Sequence, residues 1–130
     1  MPVSYDTEMK ATPHKPQSQP TRCAIYARAA TEKQASEDNS IAQQVVTCQR
    51  FAKRKGWIVR EECIFTDSGK SGLRANLGLK DLLRIAAISP KSFDVLLCTG
   101  IDRIARDTAL AIRVHSVLTK HKVEIRFAET

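Results

Sequence analysis

The chain has 130 residues, room for one domain of ordinary size. Lys and Arg outnumber Asp and Glu by 21 to 14, and hydrophobic residues make up 42%, enough for a real core. No apolar run approaches the ~18 residues that span a membrane, and no apolar stretch at the N-terminus reads as a signal peptide, so the expected location is cytoplasmic, with no membrane partner.

Residues 1–21 hold four of the five prolines, almost no large apolar side chains, and two basic residues against two acidic ones. Such a segment buries too little surface to offset its ordering entropy, and it reads as a disordered tail. The whole +7 charge therefore falls on residues 22–130. A basic domain suits a polyanionic partner such as DNA, and it equally describes a well-solvated basic surface.

Cys23-Ala24-Ile25-Tyr26-Ala27 is a short apolar run, expected to be a buried first strand. A polar loop from Arg28 to Asn39 follows. Ser40 with Gln43 looks like a capping box that opens a helix. Ile41, Val45, Cys48 and Ala52 recur at helical spacing along one face, and Gly56 stops the helix. Trp57-Ile58-Val59 starts a second strand that resumes through Cys63-Ile64-Phe65.

Thr66 to Asn76 is rich in Gly and Ser and reads as an exposed loop. Leu79, Leu82, Leu83 and Ala86 mark a short helix, with Pro90 beyond it. Asp94 to Cys98 is the most apolar strand. A polar stretch then holds Asp102, Arg103 and Arg106. Leu110, Val114, Val117 and Leu118 give another amphipathic helix, and Val123 to Phe127 alternates as a last strand. Cys23, Cys48, Cys63 and Cys98 form no C-x-x-C pair and each lies in an apolar segment. They are expected to be reduced, buried small hydrophobes, with no metal or cofactor.

Strand–helix alternation predicts an α/β fold: a mainly parallel central sheet flanked by helices. Sites in such sheets lie outside the carboxyl ends of the strands. The polar stretches after Ala27, Phe65 and Cys98 are thus expected to converge on one edge, with Arg28, Asp67, Asp102, Arg103 and Arg106 together. Guanidinium forks match phosphate oxygens and stay charged at any working pH, so the cluster reads as an anion site. Surface salt bridges are the plainer reading of the same residues. Asp67 to Gly72 is not a nucleotide phosphate loop, because the glycine required five residues before Gly69 is Ile64.

Tyr26-Ala27-Arg28-Ala29-Ala30-Thr31-Glu32-Lys33-Gln34 resembles the Y-A-R-V-S-T-x-x-Q opening of serine site-specific recombinases of the resolvase/invertase family. Ser40-Ile41-Ala42-Gln43-Gln44 is similar to the S-I-x-x-Q that starts their first helix. Asp67 through Gly72 resembles their D-x-x-x-S-G loop. Ile101-Asp102-Arg103-Ile104-Ala105-Arg106-Asp107-Thr108 looks like their L-D-R-L-x-R-D-T segment. The four blocks come in the family's order.

The resemblance implies a resolvase-like catalytic domain over 22–130. Its reaction is metal-free DNA strand cleavage and exchange through a phosphoserine link. It implies that Arg28, Arg103 and Arg106, with Arg74 as a possible substitute, grip the scissile phosphate. Asp102 would orient the arginines or move a proton, and Gln34 and Gln44 would position the loop. Asp67 and Asp94 would support the site, Asp94 structurally. Partners implied are DNA and a homo- or hetero-oligomer with a related recombinase. The stretch 22–130 is expected to lack the family's long dimerisation helix and its DNA-binding module.

Two positions depart from the family pattern. Ala30 stands where the nucleophilic serine is expected, and a methyl group has no lone pair for the covalent step. Asn76 opens the block Asn76-Leu77-Gly78-Leu79, where the family usually has an arginine. Thr31, Ser36, Ser40, Ser68 and Ser71 are the other hydroxyls near that edge, with Ser40 assigned to the cap. The expectation is an inactive recombinase domain, or else a non-catalytic DNA- or recombinase-binding regulator derived from one.

Overall fold

A computed structural model describes residues 20–29, 40–68, 76–88, 91–100 and 108–128. The elements in chain order are β1 (Arg22–Arg28), α1 (Ile41–Lys55), β2 (Ile58–Asp67), α2 (Leu77–Ala86), β3 (Val95–Cys98), α3 (Thr108–Lys120) and β4 (Glu124–Phe127). The four strands form one sheet in the order β2-β1-β3-β4, and every pairing is parallel. The expected tail lies outside the described residues over 1–19.

The caps explain where α1 begins and ends. The Ser40 hydroxyl accepts from the Gln43 N–H at 3.2 Å, as its sequence position predicts. At the other end Gly56 takes a left-handed conformation (φ 78°). Its N–H donates to the Lys53 carbonyl at 3.1 Å, and the Trp57 N–H donates to the Ala52 carbonyl at 2.9 Å. This double closure satisfies carbonyls that the last turn would leave open. Lys53, Arg54 and Lys55 sit in that turn, where cations suit the negative end of the helix dipole.

The second strand is continuous, and the interruption legible in its sequence is a bulge. Cys23 lies opposite Val59, but Ile25 lies opposite Ile64, so five steps along β2 match two along β1. The extra residues Arg60, Glu61 and Glu62 are exposed on this edge strand. A charged bulge at an edge discourages pairing with another sheet.

Successive residues of β1 face opposite ways, as a strand requires. Ala24 and Tyr26 join Phe65, Leu96 and Cys98 in a core closed by Leu79, Leu82, Val114 and Leu118 from α2 and α3. Cys23 and Ile25 join Val95 and Leu97 in a smaller core closed by Cys48 and Ala52 from α1. So α1 covers one face, and α2 and α3 cover the other. Right-handed crossovers require this arrangement when the chain first steps outward from β1 to β2 and then jumps back across β1 to β3. Each fully buried leucine on α2 contributes about 2 kcal/mol of transfer free energy.

All four cysteines are buried and free, in line with their reading as small hydrophobes. Burial pushes the Cys48 thiol up to about 12. Burial, then the neighbouring Cys48 and Cys63, push the Cys23 thiol to about the same value. Among the described residues, no helix is long and apolar enough to cross a membrane.

Candidate active site

The strands β1, β2 and β3 end on one edge of the sheet. Arg28, the last residue of β1, lies opposite Asp67, the last residue of β2, and the Ala29 N–H donates to the Asp67 carbonyl at 3.0 Å. This is the carboxyl edge predicted to carry the site, and it flanks the switch point between β1 and β3 where strand order reverses.

Of the expected site residues, Arg28, Gln44, Asp67 and Asp94 are described. Ala30, Gln34, Arg74, Asp102, Arg103 and Arg106 lie outside the described residues. β1 leads through Ala29 to Ala30, and β3 leads through Thr99 and Gly100 toward Asp102, so the covalent chain enters both segments from this edge.

Gln44 fixes the backbone of Arg28. Its Oε1 accepts from the Arg28 N–H at 3.0 Å, and its Nε2 donates to the Arg28 carbonyl at 2.8 Å. The last rung between β1 and β3 joins Ile25 to Leu97, so Arg28 lies beyond the reach of β3. There the side-chain amide of Gln44 takes the part of a neighbouring strand. Gln44 is only 3% exposed and is the one buried polar side chain among the described residues. A buried carboxamide is tolerated only when its donor and acceptor are met, and Arg28 meets both. The apolar stripe legible in the α1 sequence places Ile41 inward, yet Ile41 is partly exposed and Gln44 is buried.

Asp67 holds the end of β2 to its neighbours. The sequence reading expects it near the arginines; it lies opposite Arg28, and its carboxylate accepts from three donors. Oδ2 accepts from the Tyr26 hydroxyl at 2.6 Å and from the Leu79 N–H at 3.0 Å, while Oδ1 accepts from the Gly78 N–H at 2.8 Å. Gly78 and Leu79 are in the first turn of α2, where N–H groups lack partners and the helix dipole favours an anion. The residue at the cap position, Asn76, makes no side-chain cap bond. A carboxylate at the end of β2 therefore caps the helix that follows it. Burial first, then the bond to Asp67 and its charge, hold the Tyr26 phenol well above its ordinary range.

Two neighbours of Asp67 have backbone reasons for their identity. Asn76 is left-handed (φ 60°, ψ 27°), a conformation that asparagine accepts better than most residues. Gly78 packs its Cα against the end of β2, and a Cβ there would collide with the Thr66 carbonyl. Sequence reasoning missed Gly78 as a determinant. The signal was a glycine in the first turn of a helix, where its usual cost must be offset by close packing.

Asp94 sits at the opposite, amino edge. Its Oδ2 accepts from the Arg22 main-chain N–H at 2.9 Å, and its Oδ1 lies 3.3 Å from Arg22 Nη2 and 3.6 Å from Lys91 Nζ. It ties the start of β1 to the start of β3 and does not approach Arg28.

A parallel sheet with a switch point, and a carboxyl edge supplied by β1, β2 and β3, define a doubly wound α/β domain of the kind that binds ligands at that edge. Residues 23–130 match the family Resolvase, N terminal domain, and the chain belongs to that family. The structure is similar to the N-terminal catalytic domain of TP901-1 integrase, at 29% identity over 82% of this chain and 77% of that one, with a TM-score of 0.69. It is also similar in fold to a resolvase family site-specific recombinase from Streptococcus pneumoniae, at 18% identity over 83% of this chain and 72% of that one, with a TM-score of 0.70. No curated protein matches the chain. The domain is thus a resolvase-type catalytic domain of the serine recombinase family.

Proposed function

We propose that this domain holds a DNA phosphodiester at its carboxyl edge and does not cut it. The reading is supported by Ala30, two residues beyond Arg28, where the motif resemblance expects the nucleophilic serine. In the family reaction a serine oxygen forms a bond to phosphorus, the bond from phosphorus to the 3′ oxygen breaks, and the serine proton passes to the leaving oxygen. A methyl group has neither the lone pair nor the proton.

The binding half of the site is retained in the sequence. Arg28, Arg103 and Arg106, with Arg74 as a substitute for the missing arginine, supply fixed positive charge for phosphate oxygens. Asp102 orients the guanidinium groups, and Gln34 and Gln44 position the chain between them. The double hydrogen bond from Gln44 to Arg28 supports that role, because it holds the backbone from which one arginine departs. Asn76 removes a further cation from the block that opens α2, which favours natural loss of activity over one isolated change. Binding through phosphates alone is expected to be weak and steeply salt-dependent. The partner is DNA, engaged as a homo-oligomer or beside a related, active recombinase in the cytoplasm.

The test is Ala30→Ser in a full-length recombinase context with its cognate site. A covalent protein–DNA adduct at residue 30, absent from the natural chain, is the expected result. No adduct after the change would overturn the reading, as would an adduct formed by the natural chain through another hydroxyl such as Thr31 or Ser71.

A further inference from the structure

On the face away from α1, α2 and α3 follow β2 and β3 and leave a groove of about 480 Å³ between them. Its floor is apolar: Leu79 and Leu83 from α2, Leu110 and Val117 from α3. Its rims are basic: Lys80 and Arg84 on one side, Arg113 and Lys120 on the other, all four exposed. Leu110, Arg113, Val117 and Lys120 recur at helical spacing, so the groove follows one stripe of α3 for ten residues, ~15 Å or about three turns. No acidic residue occurs on α3, and the single one on α2, Asp81, faces Arg84 at 3.4 Å.

Leucine floor and cationic rims select one occupant. Leu79 and Leu83 are buried in the core, so the exposed part of the floor is Leu110 and Val117, which a bare polyanion would pair past and leave uncovered. A second copy of this chain would bring more positive charge: the net charge is +7, α1 and α3 carry no acidic residue, and α2 carries one. A helix with an apolar stripe flanked by carboxylates fills the floor and pairs with both rims. We propose that the groove between α2 and α3 is a docking site for an acidic amphipathic helix of a partner protein. Its Asn76 and Leu110 end lies at the carboxyl edge, so a docked helix abuts the N-terminus of α2 that Asp67 holds. This inference does not rest on the DNA reading.

The probe is a synthetic helix of about 15 residues with leucine at i, i+3, i+4 and i+7 and glutamate elsewhere, labelled for fluorescence anisotropy in about 50 mM salt. It is expected to bind, whereas a scrambled peptide of the same composition does not. The double variant Arg84→Glu with Arg113→Glu should bind it about tenfold more weakly and should prefer a peptide with lysine in place of glutamate. Lys80→Glu with Lys120→Glu serves as a second pair if the first fails to keep its circular dichroism. Equal binding of the scrambled peptide, indifference to both charge reversals, or displacement of the probe by an equal concentration of duplex DNA would overturn the proposal.

Discussion

At the carboxyl edge of the sheet, Gln44 and Asp67 bind main-chain groups: both polar groups of Arg28, and the first N–H groups of α2. At the amino edge, Arg22, Lys91 and Asp94 hold one another through ion pairs of 3.3 and 3.6 Å, and the two cations are about a third exposed. On the α1 face, Phe51 and Trp57 pack ring to ring, with Arg54 over Phe51 and Arg126 over Trp57. Asp94 also accepts from the Arg22 main-chain N–H at 2.9 Å, but its two ion pairs use cations that reach solvent and contribute little. The carboxyl edge fixes backbone positions with the buried Gln44 and the partly buried Asp67, as expected of an edge whose following segments must be placed accurately.

Substitutions on the two edges should therefore differ in size. The largest effect is expected from Asp67→Ala, which leaves the Tyr26 hydroxyl and two helix N–H groups without their acceptor. Its cost is about 3 kcal/mol in urea unfolding, and a cost near zero would break the contrast. Gln44→Leu should cost about 2 kcal/mol, because the Arg28 N–H and carbonyl lose their partners. Hydrogen exchange of the Arg28 amide should rise with it. Unchanged protection at Arg28 would show that the clamp is dispensable.

At the amino edge, Asp94→Ala should cost about 1 kcal/mol, and the share from its ion pairs, though not that from the Arg22 N–H bond, should vanish in high salt. A salt-independent loss as large as that of Asp67→Ala would erase the distinction. The smallest effect at neutral pH belongs to the buried thiols. Cys23 and Cys48 have ordinary values of 9.0, raised to about 12 in the fold. The folded state thus favours the protonated thiol. That stability is fully present below pH 9 and is lost as pH rises from 9 toward 12. Cys48→Ala should flatten the alkaline limb of the stability curve, and an equally steep limb would assign it to other groups.

Much of the fold was legible in the sequence because each element carried a local signal. The apolar run at 23–27, the Ser40 cap and the Gly56 stop mark β1 and α1 almost residue by residue. The break between Val59 and Cys63 is visible as polar residues in an apolar strand, although that pattern does not distinguish two strands from one with a bulge. The convergence of three strand ends follows from topology alone. Gln44 was harder to place in the core, since an amphipathic stripe is read from apolar residues and a glutamine is invisible to it. Its role was implied by family resemblance. The hydrogen bonds of Asp67 were not legible for a related reason. The sequence shows its charge, but not the Tyr26 hydroxyl and the α2 N–H groups that meet it once α2 has folded back against β2. Gly78 carries no charge or periodicity, and its necessity shows only when the Thr66 carbonyl stands beside it.

The central claim is that the carboxyl edge keeps its grip on phosphate without a nucleophile. The most direct test is the salt dependence of binding to duplex DNA, measured for the natural chain, Arg28→Ala and Arg22→Ala. Arg28→Ala should lower the slope of log affinity against log salt by about 1, while Arg22→Ala at the amino edge leaves it unchanged. Loss of slope in Arg22→Ala with none in Arg28→Ala would place the phosphate contacts on the wrong edge and contradict the account.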